Sequence, residues 1–300
     1  MLSKRTAFVL GAGASAPYGF PTGAQLSSQV ISGLQPGQSV WASLIGSLGI
    51  AEGDLVSFRD AFRYSGKQSV DAFLEHRGEY LTIGKAATAQ VLIRYESTDS
   101  LFDSNGNWYR YVFNKLNSQI GAFGENAVSF ITFNYDRSLE QFLFTALKNT
   151  YGVSDEMCAD LLKDIPIIHL HGRLGYLPWQ DGGKTRPYSL EPTAEALRTS
   201  IENIKIIHEN ISDGRDEDFS VAKTILDRAE RVYFLGFGYD QTNMMRLGIS
   251  DLDQGKASGT AMGLGDAEIH NVRSLCNNRI LLPNATVDCS GFLRTYGPLN

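Results

Sequence analysis

Cysteine is scarce in this chain: Cys158, Cys276 and Cys289 are the three among 300 residues, and no two form a C-x-x-C pair. Scattered in this way they lack the ligand spacing of a zinc ribbon. An odd and sparse set also suits a reducing compartment better than a disulfide framework. Positive charge is not in excess either. The net charge of -6 and pI near 5.4 argue against direct nucleic-acid binding, which needs a strongly basic surface. No apolar run approaches the ~18 residues of a membrane span. The opening MLSKRTAFVLGAGASAPYGF has two basic residues and then apolar ones, but glycine follows the four residues Ala7–Leu10. That is too short for an export signal and the right length for a buried strand. The expected location is cytoplasmic. There is no internal repeat or low-complexity tract.

With 43% hydrophobic and 20% charged residues, the chain can bury one large core, or one domain carrying an insertion. Thr6–Leu10 reads as a strand, GAGAS as a glycine turn, and Gly23–Leu34 as a helix. Apolar residues at three- and four-residue spacings predict a mostly helical insertion over 40–124. An α/β rhythm then resumes: strand Ala127–Phe133, helix Arg137–Leu147, strand Ile165–Leu170 and a Gly/Pro-rich loop Arg173–Tyr188. Helices near Thr193–His208 and Phe219–Ala229 flank a charged ISDGRDED turn, followed by strand Arg231–Leu235 and helix Gln241–Leu247. A strand at Gly259–Leu264, a helix at Gly265–Cys276, an edge strand at Arg279–Leu282 and a polar tail complete the reading. Alternating strands and helices predict an α/β fold: a Rossmann-like doubly wound parallel sheet built from 1–39 and 125–300, with 40–124 as the helical insertion.

Four polar motifs each follow an apolar strand. In an open parallel sheet, ligands bind outside the carboxyl ends of strands, so motifs distant in sequence can meet there. Gly11-Ala12-Gly13-Ala14-Ser15 fits a tight turn that brings backbone amides to a pyrophosphate at a helix N-terminus, or a plain strand-to-helix turn. Thr132-Phe133-Asn134-Tyr135-Asp136 places an amide and a carboxylate at a strand exit, where Asp136 also suits a helix N-cap. His169 and His171 share one face of a strand. They form either a partial metal site or a buried, hydrogen-bonded His169 beside a cleft-facing His171. Gly236-Phe237-Gly238-Tyr239-Asp240, with Asn243 after it, brings two glycines near a ligand or makes a turn capped by Asp240.

Taken in order, GAGAS, G-F-P at 19–21, T-F-N-Y-D, H-L-H-G and G-F-G resemble the sirtuin superfamily. The chain is most similar to the prokaryotic sirtuin-like domains of anti-phage defence. The pattern spans Gly11 to Asn243. The resemblance implies that Gly11, Ala12, Gly13 and Ser15 hold the pyrophosphate and adjacent ribose of NAD. Asn134 and Asp136 would lie by the nicotinamide ribose, with His171 as the catalytic histidine. Gly236 and Gly238 would line the adenosine side, with Phe20, Pro21, Thr132, Phe237 and Asn243 as further contacts. Two departures weaken a deacylase reading. Gly19-Phe20-Pro21 leads into Thr22-Gly23-Ala24 rather than Asp-Phe-Arg, and the four-cysteine zinc module is impossible with three cysteines. No zinc is expected.

The implied activity is hydrolysis of NAD to nicotinamide and ADP-ribose, linear or cyclic. The cationic nicotinamide leaves without a strong acid, so the site must stabilise an oxocarbenium-like ribose and orient water. Asn134 suits water and ribose hydroxyls, His171 a proton, and an ionised Asp136 the developing charge. A zinc-free deacylase and a non-catalytic NAD or ADP-ribose sensor are the alternatives. An NAD hydrolase in a cell must be held in check, so a homo-oligomer or a partner protein is expected to gate it. Aromatics of the insertion (Trp41, Phe58, Phe62, Tyr64, Phe73, Tyr80 and Tyr95) are read chiefly as its own core, with a few left for such a surface.

Overall fold

The computed structural model describes residues 1–206, 217–283 and 285–299. Among these residues six strands form one parallel sheet: β1 (Thr6–Leu10), β2 (Val128–Thr132), β3 (Ile167–His169), β4 (Arg231–Leu235), β5 (Ala257–Gly259) and β6 (Ile280–Leu281). Their order is β3-β2-β1-β4-β5-β6. β1 is central and pairs along its whole length, Thr6 to Leu10, with β2 on one side and β4 on the other. The chain builds outward from β1 to β3, then returns to the opposite side of β1 to start β4. Connections leaving β1 and β4 therefore diverge, so their carboxyl ends form the topological switch point at which open parallel sheets bind ligands.

Strand alternation divides the core. Phe8 and Leu10 point into one apolar cluster, Ala7 and Val9 into another, as the period of two requires. Phe8 stacks on Phe130 with ring centres 5.2 Å apart and meets Tyr233 at 5.7 Å. The opposite face is covered by helices Glu217–Arg228, Gln241–Leu247 and Asp266–Leu275. A sheet buried on both faces explains strands that read as nearly continuous apolar runs.

Between helix Gly23–Gly33 and β2, residues 40–124 are helical, with helices Ser39–Leu48, Glu52–Tyr64, Val70–Leu74, Leu81–Ile93, Thr98–Asp103 and Trp108–Lys115. Phe58, Phe62, Phe73 and Tyr80 form a ring cluster, Phe62 and Phe73 at 5.1 Å. This segment shares the Phe8 cluster with the sheet, so the insertion and that face have one continuous core. Every residue from Gly84 to Ile93 is buried. Of the seven insertion aromatics named above, only Tyr64 is largely exposed, at 77%.

Several elements depart from the sequence reading. The strand expected at Gly259–Leu264 is Ala257–Gly259, because Thr260 turns away to bond Phe234 and Gly236. The strand expected at Ile165–Leu170 shortens to Ile167–His169. The expected polar tail contains helix Cys289–Thr295, capped by Asp288 and burying Phe292 and Leu293. An additional helix, Asp155–Lys163, is capped by Ser154. The helix expected to reach His208 is described as Ala194–Asn203; positions 207–208 and most of the ISDGRDED turn lie outside the described residues. Among the described residues, no helix is long and apolar enough to cross a membrane.

Candidate functional site

The first and fourth motifs lock together through backbone. Gly11 N–H donates to the Leu235 carbonyl and Gly13 N–H to the Gly236 carbonyl, both at 3.0 Å. A Cβ on Gly11 would lie 2.5 Å from Gly236 O, and one on Gly236 would lie 2.0 Å from Ala14 N. Gly236 also has φ +56, where a side chain is strained. These glycines are required by the approach of two main chains. The two amides assigned to a pyrophosphate are therefore already bonded within the fold. Gly238 differs: it is exposed, and a Cβ there would meet nothing within 4 Å. Asp240 caps helix Gln241–Leu247 by accepting from Asn243 N–H at 3.0 Å, while Asn243 Oδ1 is buried with no hydrogen-bond partner among the described residues. Phe237 is buried.

Asn134 joins the second motif to the first. Its Nδ2 donates to Gly11 O at 2.9 Å and to Ser15 Oγ at 3.1 Å. Its own N–H donates to Thr132 Oγ1 at 3.0 Å, which fixes the turn out of β2 and gives buried Thr132 a local role. Asp136, 8% exposed, accepts from the N–H and Oγ of Ser138. The N-cap itself is Arg137, so Asp136 acts one residue earlier than a cap. Burial raises the Asp136 pKa above its ordinary value, while hydrogen bonds from Ser138 and Ser15 pull it down. This carboxyl thus lies under the glycine turn, holding hydroxyls.

The insertion completes this cluster with residues the motif reading missed. Tyr109 OH lies 2.7 Å from Ser138 Oγ, and its ring stacks on Tyr18 at 3.9 Å. Trp108 Nε1–H donates to Ala14 O at 2.8 Å. The N-W-Y run at 107–109 was legible only as helical periodicity, since nothing local tells an aromatic that docks on the glycine turn from one in a helical core. Phe20 is buried against Tyr95, ring centres 6.0 Å apart, and Pro21 is buried beside it.

The histidines separate. β3 ends at His169, so His171 lies beyond the strand rather than on its face. His169 is buried, with Nε2 2.7 Å from Glu140 Oε1 and Nδ1 2.9 Å from the Asn134 carbonyl. His171 is 7% exposed, lying edge-on to Phe133 at 5.3 Å and near Tyr135 at 6.4 Å. Phe133 in turn meets Phe237 at 5.1 Å. Phe133 therefore links the third and fourth motifs. Among the described residues no three His, Cys, Asp or Glu side chains gather as a metal-binding group.

Arg137, fully buried, pairs through Nε and Nη2 with both oxygens of Glu96, at 3.0 and 2.7 Å. It also donates to the Arg186 and Pro187 carbonyls. Arg186 Nη2 reaches Glu96 at 2.5 Å, and burial lowers its pKa to about 10 despite that partner. This network fastens loop 173–188 to the insertion and to the residue after Asp136. Among the described residues, open pockets lie away from these strand ends. One of about 240 Å³ flanks the β3 edge near Arg173, Tyr176 and Trp179, and one of about 290 Å³ lies at the amino ends of β1 and β2. Neither gathers the four motifs. The carboxyl ends of β1 and β4 are the better candidate because the Asn134, Ser15 and Gly236 contacts converge there.

The chain matches no protein-family model, and a search of curated proteins returns no match.

Proposed function

We propose that the chain binds NAD at the crevice between the ends of β1 and β4 and hydrolyses its nicotinamide–ribose bond. The observation that carries this reading is the reach of Asn134 Nδ2 to both Gly11 O and Ser15 Oγ. It sets a polar amide from β2 against the glycine turn of β1, at the switch point where nucleotides bind in doubly wound sheets. The buried Oδ1 of Asn243, without a partner among the described residues, fits the same ligand, because a ribose hydroxyl or adenine amino group would satisfy it. Gly238, with open space where a side chain would stand, supports a close approach there.

In the proposed reaction, water attacks C1′ of the ribose as the C1′–N bond breaks. The bonding pair returns to the nicotinamide ring, neutralising its cationic nitrogen. Asn134 orients the water or ribose hydroxyls, and His171 takes the proton that water loses. Asp136 contributes by holding Ser138 and Ser15 rather than by presenting a free carboxylate, given its burial and raised pKa. The products are nicotinamide and ADP-ribose. The resemblance to defence-associated sirtuin-like domains supports a role in NAD depletion, held in check by assembly into a homo-oligomer or by a partner protein.

A non-catalytic NAD or ADP-ribose sensor is the second reading. It rests on the occupied Asn134 Nδ2: with both hydrogens bonded inside the fold, only Oδ1 remains to meet a water or ribose hydroxyl. Incubating pure protein with NAD and quantifying nicotinamide separates the readings. Release without peptide fits the hydrolase, and release only with an acylated peptide fits a deacylase. No release, with NAD still bound, fits the sensor.

A further inference from the structure

The open pocket beside β3, an edge strand of the sheet, is lined by two chemistries. Its apolar lining comes from Leu143 of helix Ser138–Tyr151, Leu162 of helix Asp155–Lys163, and Ile165 and Ile167. Its polar lining comes chiefly from Arg173, Tyr176, Trp179 and Gln180 in the loop after β3. That loop is braced: Arg186 N–H donates to Tyr176 O at 2.8 Å, and Tyr176 N–H to Lys184 O at 3.1 Å. The polar groups it presents are donors. Gln180 Oε1 accepts from Leu177 N–H at 2.8 Å. A main-chain N–H only donates, so the amide is fixed with its two-hydrogen Nε2 left over. The Trp179 ring is held against Phe144, centres 4.8 Å apart, and its buried Nε1–H has no acceptor among the described residues. The Arg173 guanidinium lies over the Tyr176 ring at 4.5 Å. Its Nη1 stands 3.7 Å from Glu140 Oε1, beyond hydrogen-bond length. The carboxylates of the lining are already engaged: Glu140 Oε1 lies 2.7 Å from His169 Nε2, and Asp181 pairs with Lys163 at 3.1 Å.

We propose that this pocket is a second ligand site, taking a small carboxylate with an apolar body. A surplus of donors calls for a ligand rich in acceptors, and the cation among them calls for a negative one. Arg173 carries five N–H donors, more than Glu140 engages, and its planar fork matches a carboxylate. Gln180 Nε2 and the Trp179 N–H supply further donors, and a ligand oxygen reaching the indole satisfies a buried group that otherwise lacks a partner. The apolar body lies on Leu143, Leu162 and Ile167, gaining burial that a bare inorganic anion cannot gain. The volume of about 240 Å³ falls below the roughly 300–1,000 Å³ of sites for drug-sized ligands. One ring or a short branched chain fits; a dinucleotide does not. None of the proposed contacts belongs to the four motifs, so the inference stands apart from the NAD reading.

The test titrates the full chain, without NAD, with benzoate, benzamide and inorganic phosphate, following the indole N–H signals of ¹⁵N-labelled tryptophan. The chain has three tryptophans, and Trp179→Phe identifies the signal of Trp179 by its loss. Benzoate should move that signal with a Kd of about 1 mM, as suits so small a probe. Benzamide keeps the shape without the charge, and phosphate keeps charge without the apolar body. Each should bind at least about tenfold more weakly. Arg173→Gln should weaken benzoate by about tenfold or more, as expected for a charged hydrogen-bonding partner. Where Arg173→Gln fails to fold, Trp179→Phe decides: it keeps the ring on Phe144, removes the donor and should weaken benzoate by about fivefold, read by calorimetry. An unmoved Trp179 signal at about 10 mM benzoate would overturn the site. Benzamide binding as well as benzoate would overturn the call for an anion, and phosphate binding as well would overturn the apolar body. Undiminished benzoate binding in the folded variants would place the probe elsewhere and overturn the proposal. The NAD reading is untouched by any of these outcomes, since nicotinamide release is measured separately.

Discussion

The indole N–H of Trp108 donates to the carbonyl oxygen of Ala14 at 2.8 Å. One hydrogen bond, between residues 94 positions apart, ties the helical insertion to the glycine turn of β1. Both groups are buried, so neither can exchange its partner for water. The insertion is in this sense a structural support for the turn.

Trp108→Phe tests that support. It keeps a large ring in the core but leaves the Ala14 carbonyl without its donor, which should cost about 1–3 kcal/mol. Urea unfolding should show the midpoint fall with little change in slope. An unchanged midpoint would mean that the Ala14 carbonyl finds another partner and that the insertion does not brace the turn.

Two glycines in one loop should respond oppositely to alanine. At Gly236 the added Cβ would stand 2.0 Å from Ala14 N and 2.2 Å from Gly13 C, at φ +56. Neither contact is with a flexible side chain, so Gly236→Ala should lose more than about 3 kcal/mol or fail to fold. At Gly238 nothing lies within 4 Å, so Gly238→Ala should change stability by less than about 0.5 kcal/mol while weakening NAD binding. Thermal unfolding and NAD titration read both effects. Equal unfolding temperatures for the two variants would contradict the interlock of the two turns.

The side chains proposed for the reaction carry different structural burdens. Asn134→Ala should abolish nicotinamide release. From its place at a strand exit alone it should leave the unfolding temperature nearly unchanged, but its bonds to Gly11 and Ser15 add an expected cost of about 1 kcal/mol. His171→Ala should lose about two to four orders of magnitude in activity with the fold retained. His169→Ala strands the buried Glu140 carboxylate, so it should cost about 3–5 kcal/mol and lose activity mainly through unfolding. Measuring activity per folded molecule separates them. A His171→Ala protein with wild-type activity would remove that residue from the mechanism.

What the sequence made legible follows from how local each signal is. β1 and β4 were readable residue by residue because a strand buried on both faces is an unbroken apolar run closed by glycine, as in TAFVL-GAG and RVYFL-GFG. The convergence of four motifs followed from their shared place after strands. Helix Cys289–Thr295 was hidden because its apolar residues are few, and it is held by Phe292 meeting Tyr233 at 6.0 Å, a contact no local pattern encodes. That Gly11 and Gly13 admit another main chain was not legible either. A glycine that admits a pyrophosphate and one that admits another main chain look alike in sequence, and Gly236 is the neighbour that distinguishes them. Tyr109 and Ser138 escaped because each is ordinary on its own helix and acquires meaning only against Asp136.

Glu140 and Asp136 predict opposite responses to acid. The Glu140 carboxyl falls from its ordinary 4.5 to about 2 in the folded protein. A depressed folded pKa contributes stability that is present above the unfolded value and lost as pH drops through the folded one. The window therefore runs from about pH 4.5 down to about 2, and the shift corresponds to roughly 3 kcal/mol. Asp136 is shifted the other way, above its ordinary 3.8, chiefly by burial. The folded protein holds that proton more tightly than the unfolded chain. Its contribution is present below the ordinary value and is lost as pH rises through the raised one. Acid should then destabilise the protein through Glu140 and partly restore it through Asp136. Glu140→Gln should flatten the loss of unfolding free energy between about pH 5 and about pH 3, whatever its level at neutral pH. Asp136→Asn should steepen that loss, because the opposing contribution is gone. Unfolding free energies from urea titrations across this range give the slopes directly. If both variants parallel the wild type, the acid response comes from other groups, and the Glu140–His169 pair carries no net charge-linked stability.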